Sequence, residues 1–128
     1  MLTLIHPLAY DPIEKAKGLF EKTYKMIDFY SEKLDYDFPW DKYHQIVVRN
    51  FVSGAMENTG AVVFGDYVLG YGSEDQRIMY ECVVAHELSH HWFGDLVTCE
   101  SWANLPLNES FATYFEYLWL EYEYGRYE

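Results

Sequence analysis

Basic side chains nearly vanish from the second half of this sequence. Seven of the nine Lys and Arg lie in residues 1–51; beyond them only Arg77 and Arg126 remain, against thirteen Asp and Glu, and the formal net charge is −12. Phosphate backbones are held by clustered cations, so the charge speaks against a nucleic-acid partner. The acidic half suits either a cationic ligand, such as a peptide with a free amino terminus, or a merely solvated surface. Cysteine is scarce as well: Cys82 and Cys99 do not make a disulfide framework. No apolar run approaches the roughly 20 residues of a membrane-spanning helix. The opening MLTLIHPLAY lacks the basic start and long apolar core of a signal peptide, so a soluble chain of open compartment is expected. There is no repeat, no low-complexity tract and no Gly/Ser linker. What is present is a chain of 128 residues, half of them hydrophobic and 20% aromatic, which excludes a disordered tail and suits one domain with its own core.

The patterning predicts α+β. Asp11-Pro12 reads as an N-cap followed by proline at the first helical position, and Ile13, Ala16, Phe20, Tyr24, Ile27 and Leu34 continue at helical spacing. His44 to Val52 is rich in β-branched and aromatic residues and reads as a strand. Gly54 and Gly60 bracket a short extended piece, and Ala61 to Leu69 reads as a strand or two broken at Gly65-Asp66. Ser73 to Asp75 caps a helix running through Ile78, Tyr80, Val83, Val84 and Leu88 to about Phe93, with Gly94 as its stop. Pro106 opens a last helix through Phe111, Tyr114, Phe115 and Leu118. The expected order is helix, small sheet, helix, helix.

Inside the first of those two late helices stands His86-Glu87-Leu88-Ser89-His90, an H-E-x-x-H pattern. Residues four apart on a helix lie one turn apart on one face, so two imidazoles can reach one cation from a single rigid element. Neutral imidazole nitrogen suits Zn²⁺, with bonds of about 2.0–2.1 Å in tetrahedral geometry. Glu87 lies about 100° round the helix from His86, placed to address a water at the metal without replacing it. The bland alternative is two histidines half-buried on a helix face. A catalytic zinc needs a third protein ligand and one open position. Glu109 follows His90 after eighteen intervening residues and falls in the first turn of the last helix, where the macrodipole favours its ionised form. Alone, Glu109 reads as a solvated helix acid; with the two histidines it completes the His₂Glu set of hydrolytic zinc sites.

Two blocks of the sequence resemble the M1 family of zinc aminopeptidases, the gluzincin group of the aminopeptidase N and leukotriene A4 hydrolase type. One is Val52-Ser53-Gly54-Ala55-Met56-Glu57-Asn58, similar to the family's G-x-M-E-N exopeptidase block. The other is HELSHHWFGDLVT (His86 to Thr98) followed by WANLPLNESFA (Trp102 to Ala112), similar to H-E-x-x-H-x18-E with its flanks. The resemblance covers the chain from about residue 11. It implies one Zn²⁺ per chain on His86, His90 and Glu109, with Glu87 as general base. It implies that Glu57 holds the substrate's free α-amino group and that Gly54, Ala55 and Met56 line an extended peptide. The implied fold is a thermolysin-like core with the Gly54–Asn58 block on an edge strand of a small mixed sheet. His91, Asp95, Ser101, Pro106 and Ser110 depart from the family's usual residues; none removes a ligand, and Pro106 bears on where the last helix starts. Family members are far longer, with a catalytic tyrosine well beyond the third ligand and a second acceptor for the amine in a preceding domain. The chain therefore reads as a partial catalytic domain, with the rest of a full-length enzyme and, through exposed docking surface, a second copy as further partners.

Other residues take simpler readings. Cys82 shares the His86 face, yet a small buried hydrophobe is the plainer reading than a thiolate ligand. Cys99 reads as core packing. His6 and His44 have no identifiable partner, His91 points away from the ligand stripe to the surface or just behind it, and the thirteen tyrosines read as core and surface filler. Two rival functions stay open at this level: a zinc-binding polypeptide without turnover, and a thermolysin-type endopeptidase, which the Gly54–Asn58 block argues against.

Overall fold

Strand β2 (His44–Val48) is the spine of the fold. The computed structural model describes residues 2–5 and 12–125. Strand β1 (Leu2–Ile5) and strand β4 (Ala61–Gly65) flank β2 in parallel, and the two-residue strand β3 (Ala55–Met56) closes the edge antiparallel to β4, pairing Ala55 with Phe64 and Met56 with Val63. The expected small mixed sheet, with the Gly54–Asn58 block at its edge, is therefore present. Strand β1 carries no periodic signature, because four residues are too few to show one. The segment after β4, read as a possible second strand, is a 3₁₀ turn over Asp66–Leu69 instead. Its inward residues Val68 and Leu69 are fully buried, so its apolar run marks burial and not extension.

The long first helix is two helices, α1 (Pro12–Phe20) and α2 (Thr23–Leu34). Periodicity does not reveal the break, because the buried positions Ala16, Leu19, Phe20, Thr23, Met26, Phe29 and Tyr30 keep helical spacing straight across it. Ile13 and Tyr24, expected in that stripe, are exposed. At the break Lys22 leaves the helical region and reaches to Glu123 at 3.0 Å. The expected cap at Asp11 lies outside the described residues, as does His6.

Helix α3 (Glu74–Ser89) starts as expected, with Ser73 accepting from the Gln76 amide at 3.3 Å, but stops four residues earlier than its pattern suggested. The amides of His91 and Trp92 turn to the carbonyls of Leu88 and Ser89, which tightens the last turn. Gly94, at φ +140°, then reverses the chain. A Cβ there would meet His90 Nδ1 and Asn108 Nδ2 at 3.3 Å, so glycine is required for both backbone and space. Helix α4 (Pro106–Tyr124) carries proline at its N1 position, where no amide is missed. Its buried face is Ala112, Phe115 and Trp119; Phe111 and Tyr114 are exposed. The core lies between the sheet and the helices, with the Phe20 and Phe64 rings 5.2 Å apart and Tyr30 edge-on to Phe115. No helix among the described residues is long and apolar enough to cross a membrane.

Candidate metal centre

Helix α3 puts His86 and His90 one turn apart, and α4 runs antiparallel against it. The three potential ligand atoms form a small triangle. His86 Nε2 lies 3.2 Å from His90 Nε2, and Glu109 Oε2 lies 3.3 Å from the first and 3.6 Å from the second. Three corners of a tetrahedron around a cation with 2.0–2.1 Å bonds stand about 3.3–3.4 Å apart, since a tetrahedral edge is about 1.63 times the bond. The side chains thus already stand at coordination spacing, and this cluster can hold a metal ion.

The imidazoles are oriented for it. His90 Nδ1 sits 2.9 Å from the Phe93 carbonyl, which can only accept, so Nδ1 carries the proton and Nε2 keeps its lone pair. His86 Nδ1 is 3.3 Å from Glu116 Oε2, and the same argument leaves its Nε2 free to ligate. Burial works against a charged His86 ring, but the Glu116 hydrogen bond and the charges of Glu87, Glu116 and Glu109 outweigh it and hold its pKa above the ordinary value. Glu116 was not among the expected residues. Its signal was available, since it lies seven residues after Glu109 and so two turns along the same face of α4.

Glu87 is 8% exposed, and its Oε2 makes no hydrogen bond among the described residues. Burial pushes its pKa to about 8; the nearby His86 opposes this, while the Glu57 and Glu109 charges add to it. A buried carboxylate beside two other acids is costly without a compensating cation. The donor set and this orphaned oxygen both fit a divalent ion such as zinc.

Glu57 follows the edge strand β3 and is half-buried. Its charge reaches both Glu87 and Asp95. Gly54, at φ +83°, begins the turn into β3, and its carbonyl accepts from the Gly65 amide at 2.7 Å. Ala55 is half-buried and Met56 is 39% exposed on the same strand. Of the two places expected for His91, the structure excludes the surface. His91 is fully buried: its ring stacks on Phe38, and its Nε2 accepts the Gly60 amide at 3.0 Å. Burial pushes its pKa down to about 4. It pins the end of α3 to the turn that precedes β4. Cys82 is not in the cluster; its thiol donates to the Ile78 carbonyl at 3.3 Å, and burial pushes its pKa up to about 12. Tyr67, exposed beside Gly54 and Gly65, and Tyr43 lie close enough to feel the Glu87 charge, so not all tyrosines are remote filler.

Comparison with known proteins agrees with this geometry. The model of the Peptidase family M1 domain matches residues 19–128. Aminopeptidase N of Streptomyces lividans is 48% identical over 104 residues, covering 79% of this chain and 12% of that protein. Aminopeptidase N of Canis lupus familiaris is 44% identical over 101 residues, covering 76% of this chain and 10% of that protein. "Probable aminopeptidase 1" of Sulfurisphaera tokodaii is 41% identical over 115 residues, covering 86% and 15%. The chain therefore spans between a tenth and a sixth of the length of these relatives. The matched segment includes every residue of the triangle, and with it this chain belongs to peptidase family M1.

Proposed function

We propose that this chain is the metal-binding core of a zinc aminopeptidase, one part of a larger catalytic domain. The observation that carries the reading is the triangle of His86 Nε2, His90 Nε2 and Glu109 Oε2 at 3.2–3.6 Å, the edge lengths of a tetrahedral site. Zinc held there supplies Lewis-acid activation of a water and of the scissile carbonyl. Glu87 takes the proton of the attacking water and returns it to the leaving amine. Its burial suits this role, because a carboxylate raised toward neutral pH is a better proton carrier than a solvated one. Glu57 accepts hydrogen bonds from the substrate's α-ammonium, a charge-assisted pairing that restricts cutting to the first peptide bond. Gly54 to Met56 offer the free edge of β3 to an extended peptide. Glu116 and the Phe93 carbonyl keep both imidazoles facing the metal.

Metal content of the purified protein tests this directly. Zinc at one per chain is expected, and removing it with a chelator should lower the melting temperature, since ligand binding stabilises the folded state. A folded sample that takes up no zinc would refute the reading. Zinc without hydrolysis of an aminoacyl anilide would instead favour a binding-only polypeptide. Equal cleavage of free and amino-blocked peptides would favour an endopeptidase and remove the role of Glu57. Glu116→Gln should keep the fold and weaken zinc binding about 10- to 100-fold in competition with a chelator, the usual effect of losing a carboxylate behind a ligating histidine.

A further inference from the structure

At the other end of the α3–α4 interface, five residues before His86, lies a carboxylate that the reaction does not use. Glu81 is fully buried. Its Oε1 accepts from Trp119 Nε1 at 2.8 Å; its Oε2 accepts from Tyr124 OH at 2.8 Å and from Arg77 Nη1 at 2.7 Å. Lys22 stands 3.7 Å from Oε2 and donates to Tyr124 OH at 2.7 Å. Among the described residues, the partners of Glu81 are thus on α3 itself, on α4, or at the α1–α2 break.

We propose that Glu81 is a positioning residue for the metal centre: with Trp119 and Tyr124 it locks the register of α4 on α3, and so sets where Glu109 falls relative to His86 and His90. The inference rests on the metal-site reading above.

The geometry carries it in three steps. First, α3 supplies two ligands and α4 the third, so coordination spacing depends on how the helices are set against each other. A slip of one residue moves α4 by about 1.5 Å and turns it by about 100°. Metal bonds tolerate about 0.2 Å. Second, one tie leaves a helix free to pivot; two ties at different heights do not. The His86–Glu116 and Glu81–Trp119 contacts are such a pair, five residues apart on α3 and three apart on α4. Next to the first of them the Tyr30 hydroxyl shares its one proton between the Ala85 and Phe115 carbonyls, at 3.2 and 3.1 Å, tying both helices to α2 at that level. Third, a buried ion pair is a poor source of net stability, because desolvation offsets its attraction, and apolar packing would stabilise as well. What a directional, fully satisfied carboxylate adds is a single allowed arrangement. Leu-like packing against Trp119 would tolerate neighbouring registers; the indole N–H and the phenol O–H, converging on the two oxygens of one carboxylate, do not.

The test uses the full chain, zinc affinity from chelator competition and the visible spectrum of the cobalt(II)-loaded protein, whose band position and intensity report ligand geometry. Trp119→Phe removes the indole donor, and Tyr124→Phe removes only a hydroxyl at a partly exposed residue. Val62→Ala, a buried change in β4 outside the seam, is the stability control. Trp119→Phe is expected to weaken zinc about tenfold and alter the cobalt spectrum, at the low end of what outer partners of a metal site contribute. Tyr124→Phe should shift both in the same direction by less. Val62→Ala should lower the melting temperature yet keep zinc affinity within about twofold and the spectrum unchanged. Parent-like zinc affinity and spectrum in both seam variants would overturn the proposal. So would Val62→Ala losing affinity in step with its melting temperature as the seam variants do. A parent chain that takes up no metal would overturn this inference together with the metal-site reading, whereas a metal-loaded parent with unaffected seam variants overturns the inference alone.

Discussion

Glu109→Ala should leave the protein folded and strip it of metal. Glu109 is exposed, and its closest polar contacts are the two imidazoles at 3.3 and 3.6 Å. Its side chain is 48% exposed, and alanine is the best helix former. The expected stability loss is about 0.3–1 kcal/mol, the value of an acid in the first turn of a helix. Zinc affinity should drop far more. Losing a partner behind a ligand already costs about 10- to 100-fold, and here a ligand itself goes, leaving two nitrogens and no anionic donor. Chelator competition should therefore register a fall beyond about a hundredfold while the metal-free melting temperature stays close to the parent's. Parental zinc affinity in this variant would rule out the triangle as the binding site.

Glu87→Gln should do the opposite, keeping the metal and losing turnover. The amide has the size and shape of the carboxylate, and Glu87 is not part of the ligand triangle. The fold should not suffer, because the carboxylate is buried with one oxygen unbonded among the described residues, and an amide is cheaper to bury than a charge. What disappears is the site for the proton. General acid–base groups contribute about 10²–10⁴ in rate, so on the aminopeptidase reading proposed above, turnover of an aminoacyl anilide should fall by a factor in that range at parental zinc content. Undiminished turnover would remove Glu87 from the chemistry. Together the two variants separate metal binding from proton transfer: one loses zinc, and the other keeps zinc but cannot use it.

The metal cluster was legible in the sequence because its chemistry demands unusual residues at set intervals. Histidines four apart share a helix face whatever surrounds that helix, and an acid in the first turn of the next helix is visible from Pro106 and Asn108 onward. The extended piece between Gly54 and Gly60 and the helix starts at Ser73 and Pro106 followed from equally local rules, whereas the edge position of Ala55–Met56 came with the family resemblance. Other features left no such trace. The break at Glu21-Lys22 interrupts a stripe that keeps its period on both sides. The apolar run after Gly65 buries Val68 and Leu69 as a 3₁₀ turn, since burial alone does not distinguish extended from coiled backbone. Leaving the ligand stripe put His91 either at the surface or just behind it, and spacing could not choose; Phe38, Tyr43 and Gly60, from distant parts of the chain, enclose it.

By itself the sequence determined which atoms are available to a cation and their angular placement on each helix, because a helix has one geometry regardless of context. Only the tertiary structure decided that Glu109 stands within 3.6 Å of both imidazoles, that Glu116 backs His86 and that Glu81 joins α3 to α4. Those distances lie between elements far apart in the chain. They are set by how two helix surfaces pack and which buried polar groups they must satisfy, and no rule of local spacing contains that information.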